Sequence, residues 1–141
     1  MRIAALCDIH GNLPALEAVL EELATLEVER VIVGGDVLPG PWPAETLGRL
    51  QGLALPVDFL YGNGEVAVLA QREDEGAVER LPEPAREAVR FSAERIDADQ
   101  ARSLAAWPKT VSLEVPALGK VLFCHATPRD ENEIFTRRTS D

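Results

Sequence analysis

Two histidines serve the whole chain, His10 and His125, and each stands at the end of an apolar run. His10 lies in ALCDIHGN, two residues after Asp8, and His125 lies in KVLFCHA. Between them, RVIVGGD places Asp36 after a second apolar run, and VDFLYGNGE places Asn63 after a third. A carboxylate and an imidazole together suit a divalent transition metal such as manganese, iron, zinc or cobalt. On an extended backbone, Asp8 and His10, two apart, would leave on the same side. The neighbouring glycines let the backbone approach a metal or a phosphate closely. Taken singly these signals are weak. Gly-Asp is commonly a turn or cap, Gly-Asn a tight turn, and a lone histidine a hydrogen-bonded residue. The ordered set, each member after an apolar run, is far more specific.

The elements that must position these residues are legible in the pattern. RIAALC, residues 2–7, reads as a short buried strand. Asn12 is suited to cap a helix with Pro14 in its first turn, and Leu13, Leu16, Leu20 and Leu23 mark one face to about Leu26. RVIVGG, 30–35, is a second buried strand rich in β-branched residues. DVLPGPWP is a loop dense in Pro and Gly. A helix opens at Pro43 or Ala44 and runs to about Leu50, and VDFLY, 57–61, is a third strand. This order implies parallel strands with right-handed crossovers. In such open sheets, ligands bind beyond the carboxyl ends of the strands, where the polar residues above sit.

Residues 64–106 read as helical and acidic, in three helices, with Asp97 or Asp99 capping the last and the charges on solvated faces. Glu65 is expected in a first helical turn, where the helix dipole favours it. KTVSLEV and KVLFCHA then form a hairpin, the second strand buried. Trp42 is expected to pack, or else to line a pocket rim. Cys7 and Cys124, each inside an apolar run, read as small buried side chains in a reducing cytoplasm.

With 141 residues the chain can form one domain, 1–141, with a real core. No apolar run approaches the ~20 residues of a membrane helix, and CDIHGN interrupts the start too soon for a signal peptide. The net charge of −10 repels nucleic-acid phosphates, so duplex binding is not expected. An anionic substrate needs a local positive charge, which a bound metal ion would supply.

The ordered motifs DIH, GGD, YGNGE and CHA resemble those of the calcineurin-like metallophosphoesterases, and DIHGNLPALEAVL is similar to their small bacterial branch. The resemblance implies an α/β sandwich of helix, sheet, sheet and helix layers. It implies two divalent metal ions, from manganese, iron, zinc, cobalt or nickel, with manganese preferred. Asp8 and His10 would bind the first ion, Asp36 would bridge both, and Asn63 and His125 would bind the second. A hydroxide held between the ions would attack a small phosphate ester, with Asn63 contacting the phosphoryl oxygens in the transition state. Of the substrates, phosphodiesters are favoured over phosphomonoesters.

The pattern departs from the family in two places. The family often has a histidine after the Asn; here Gly64 stands there, and no general acid is identified. No Gly-His-x-His follows His125, so the chain resembles a shortened member with an incomplete second sheet, whose open edge would favour a homo-oligomer. These departures leave a second reading: a degenerate phosphoesterase scaffold that binds a protein partner.

Overall fold

The computed structural model describes residues 1–139. Strands β1 (Ile3–Leu6), β2 (Arg30–Gly34) and β3 (Val57–Leu60) form a parallel sheet in the order β1-β2-β3. The register pairs Leu6 with Val33 and Val33 with Phe59, so the three strands end level. Helices α1 (Leu13–Ala24) and α2 (Pro43–Gln51) make the crossovers. Strand order follows chain order, so two right-handed crossovers put both helices on one face.

The sequence supplies the local reasons. The Asn12 side chain accepts from the Ala15 N–H at 3.2 Å, which caps α1, and Pro14 needs no hydrogen-bond partner there. Leu16 and Leu20, one turn apart, are buried against the sheet side that carries Val31 and Val33. Each such leucine contributes about 1.5–3 kcal/mol of burial. The helix stops at Ala24, short of Leu26, which is 44% exposed. Alternation along β2 sends Ile32 to the opposite face, where it is also buried.

Helices α3 (Asn63–Glu73), α4 (Glu83–Arg95) and α5 (Ala98–Ala105) follow, with an unanticipated 3₁₀ turn at Ala77–Arg80. Asp97 caps α5 through the Gln100 N–H, and Gln100 reciprocates to the Asp97 N–H. Val89, Ser92 and Ala93 form the buried face of α4. Strands β4 (Thr110–Val115) and β5 (Gly119–Cys124) pair antiparallel as a second sheet. The hairpin meets the end of β3: Phe59 stacks on Trp107 with centroids 4.7 Å apart, and the Tyr61 N–H donates to the Pro108 carbonyl. No helix among the described residues is long and apolar enough to cross a membrane.

The expected burial of β1, β5 and the cysteines beside them fails for one reason, that both strands lie at a sheet edge. β1 lies at the sheet edge and is half-buried, with Ala5 exposed. β5 is half-exposed, as a strand of a two-stranded sheet must be. Cys7 at the β1 edge is exposed and Cys124 only partly covered, and both are free thiols. Trp42 does not pack in the core: it is 42% exposed where the chain enters α2. Residues 127–139 form turns, as their polar composition suggests, and Ser140 and Asp141 lie outside the described residues.

Candidate metal centre

The loops that follow β1 and β2 stay zipped beyond the sheet. The Asp8 N–H donates to Gly35, the His10 N–H to Asp36 and the Gly11 N–H to Val37, at 3.2, 2.9 and 2.7 Å. Asp8 and His10 do not sit on an extended backbone. Their φ angles are 53° and 47°, and Asp36 and Ala126 share this left-handed region at 51° and 55°. Each such residue stores of order 1–3 kcal/mol, and such strain gathers at functional sites. Here it turns side chains from separate loops towards one point.

One donor atom from each of Asp8, His10 and Asp36 lies within 4.8 Å of the others. The His10 Nε2 is 3.7 Å from Asp36 Oδ2, and the His125 Nε2 is 3.7 Å from Asp36 Oδ1. Asn63 Oδ1 stands 3.2 Å from the same His125 Nε2. Asp36 thus lies between two imidazoles and turns one carboxylate oxygen to each. It is buried, while Asp8, His10 and Asn63 are exposed and His125 is partly covered. The group therefore opens to solvent on one side.

The ring tautomers follow from the far side of each imidazole. His10 Nδ1 lies 3.3 Å from the Pro39 carbonyl and His125 Nδ1 lies 2.9 Å from the Gly34 carbonyl. A carbonyl only accepts, so each Nδ1 carries a proton, and Nε2 is the ring nitrogen turned towards Asp36. At 3.7 Å these contacts exceed hydrogen-bond length. An imidazole nitrogen and a carboxylate oxygen at that separation can serve as ligands of one cation. Anchoring the far nitrogen on a carbonyl is also how metal-binding histidines are oriented. The donor set, two carboxylates, two imidazoles and an amide oxygen, fits divalent transition metals.

The residue missed in the sequence is Glu65. It lies in the first turn of α3, as expected, but it is fully buried and not on a solvated face. Its carboxylate accepts from the Asp36, Leu38 and Gly62 N–H groups at 2.9, 2.9 and 2.8 Å. Burial pushes its pKa up; the Leu38 and Gly62 N–H groups pull it back, and the Asp36 charge adds to the rise. The one available signal was its place at the third helical position, where a Glu reaches back to the N-cap N–H. Its two partners across the loop were invisible, because they lie 27 and 29 residues away.

A calcineurin-like phosphoesterase superfamily domain model matches residues 1–140. The chain belongs to this superfamily. Hypothetical protein PH1004 from Pyrococcus horikoshii OT3 has a similar fold, with a TM-score of 0.73 at 21% identity, over 80% of this chain and 50% of that one. A metallophosphoesterase from Sphaerobacter thermophilus is similar at 28% identity, with a TM-score of 0.60, over 79% of this chain and 43% of that one. The chain spans about half the length of these solved structures. No curated protein sequence matches it. The calcineurin-like fold and the superfamily's divalent-metal chemistry agree with the Asp8, His10 and Asp36 cluster.

One departure from the superfamily pattern has a steric cause here. A Cβ on Gly64 would collide with the Leu38 carbonyl oxygen and crowd Asp36 Oδ1. The Gly64 N–H donates to that same Asp36 oxygen at 2.8 Å. The loop after β2 therefore occupies the space a side chain at 64 would need.

Proposed function

We propose that this domain is a metal-dependent phosphoesterase acting on phosphodiesters, with two divalent ions, manganese for preference. Asp8, His10 and Asp36 would hold one ion, and Asp36, Asn63 and His125 would hold the other. The observation that carries the proposal is the placement of Asp36, with one carboxylate oxygen towards each imidazole at 3.7 Å. A shared carboxylate screens two cations from one another and leaves the pair with net positive charge. When bound, the ions supply Lewis acidity and an ionisable water at neutral pH.

This chain's residues do the rest. The Asn63 amide, exposed at the start of α3, would contact a phosphoryl oxygen, and the α3 N-terminus favours the negative charge. No imidazole stands at 64 to protonate the leaving oxygen, so esters with good leaving groups are the better substrates. The free thiols of Cys7 and Cys124 suit a cytoplasmic setting.

The test is hydrolysis of bis(p-nitrophenyl) phosphate with added Mn²⁺. Wild-type protein turns it over and Asp36→Asn falls to the metal-free background. Equal rates for the two proteins overturn the assignment. A second reading, a scaffold that binds a protein partner, draws on the filled space at Gly64. It predicts background rates for both proteins with every metal.

A further inference from the structure

Asp36 and Asn63 come from loops on different strands, yet any shared metal site needs them in fixed relation before an ion arrives. Two loops dense in glycine do not hold such a relation by themselves. The contact between them is Glu65. Its Oε2 accepts from the Asp36 and Gly62 N–H groups, and its Oε1 accepts from the Leu38 N–H. A fourth bond runs the opposite way, from the Gly64 N–H to Asp36 Oδ1. Asp36 is therefore held at both its backbone and its side chain, and the residues on either side of Asn63 are held with it.

The chemistry of the side chain matters as much as its position. Three N–H groups converge on a site with no solvent exposure. Only an acceptor with at least three free lone pairs satisfies them, and a carboxylate has about four. A glutamine offers one oxygen, and its NH₂ would oppose one of the three donors. An aspartate is a methylene too short to span both loops. Closing the gap between the loops also fixes Asp36 in its left-handed conformation (φ 51°), which aims its two oxygens at His10 and His125.

We propose that Glu65 is a positioning residue for the metal centre. Both its oxygens are taken by backbone N–H groups, and it clamps the Asp36 loop to the start of α3 so that Asp36 and Asn63 form a preorganised half-site. The proposal rests on the metal-site reading above.

Manganese binding by calorimetry tests it on the full chain. Glu65→Gln and Glu65→Asp each weaken Mn²⁺ binding by about 10–100-fold, the usual effect of removing a group that orients metal ligands. Leu104→Ala, a core truncation in α5 outside the loops that carry the proposed ligands, is the stability control: it lowers Tm and leaves Mn²⁺ affinity within about twofold of wild type. A Glu65 variant that binds as wild type overturns the proposal, and so does a control that loses as much affinity as the Glu65 variants. Amide hydrogen exchange on metal-free wild-type protein tests it without any substitution. The Asp36, Leu38 and Gly62 N–H groups exchange as slowly as those of β2. Exchange at the rate of residues 127–139 would mean that no preformed clamp exists. If wild-type protein binds no Mn²⁺ while these amides stay protected, the metal reading fails and the clamp stands.

Discussion

Glycine is ordinarily a weak residue in a helix, by about 1 kcal/mol against alanine, and two glycines here test when that rule inverts. Gly48, inside α2, has nothing within 4 Å of the place a Cβ would occupy. Gly48→Ala therefore stabilises by about 0.5–1 kcal/mol. Gly64, in the first turn of α3, faces the Leu38 carbonyl, which is backbone and does not yield as a flexible side chain would. Overpacking of that kind costs about 1–3 kcal/mol, which outweighs the helix preference, so Gly64→Ala destabilises. Urea unfolding should move the two midpoints in opposite directions. A Gly64→Ala protein that is stabilised would mean that the loop after β2 relaxes freely. At this scale the sequence was partly readable. The types and order of Asp8, His10, Asp36, Asn63 and His125 picked out residues that the structure brings together, because ligand chemistry is carried by residue type. The steric filling at Gly64 and the burial of Glu65 were not readable, because both depend on a loop 26 to 29 residues earlier in the chain.

Elements were easier to read than their surroundings. Three parallel strands, the α1 and α2 crossovers and the hairpin follow from periodicity and from caps such as Asn12 and Asp97. Burial was misread at β1 and β5, because an apolar run does not say whether a strand has one neighbour or two. The tail after β5 is fastened by a side chain at the entrance to β4. Lys109 Nζ donates to the Arg129 carbonyl at 2.7 Å and lies 2.9 Å from Glu131. The hydrogen bond from Lys109 lowers the Glu131 pKa, and the bond to Glu131 raises that of Lys109. The carboxylate side of this linkage is present above the usual Glu pKa and is lost as pH falls through the lowered one. The ammonium side is present below the usual Lys pKa and is lost as pH rises through the raised one. Both ends are partly exposed and the pair ties only the tail, so the effect is on the tail and not on global stability. An NMR titration of the Glu131 carboxyl should give a midpoint below the ordinary glutamate value, with the Glu131 amide shifting in step. Lys109→Met should return that midpoint to the ordinary range. An unchanged midpoint in the variant would detach the tail from β4.

For the molecule as a whole, the five proposed ligands come from four loops, after β1, β2, β3 and β5, and so from both sheets. Where the sheets meet at this end, the His125 Nδ1 bond to Gly34 and the Tyr61 bond to Pro108 join them. A cation shared by Asp36 and His125 would cross-link the parallel sheet to the hairpin. The net charge of −10 works in the same direction, since it draws cations in. Metal should therefore act on folding as well as on catalysis. At a free Mn²⁺ concentration 100 times Kd, one site adds about 2.7 kcal/mol, which for a chain of this size raises Tm by roughly 10 °C. EDTA should remove the whole gain. The two sites should differ, because Asp8, His10 and Asp36 offer two carboxylates where Asp36, Asn63 and His125 offer one, so the first ion binds more tightly than the second. Asp36→Asn should abolish the Tm rise, while His125→Ala should keep most of it and lose the weaker binding step. A melting temperature indifferent to Mn²⁺ and EDTA would mean that these side chains converge without holding a cation, and a His125→Ala protein that loses both steps would place the tighter ion on the other side of Asp36.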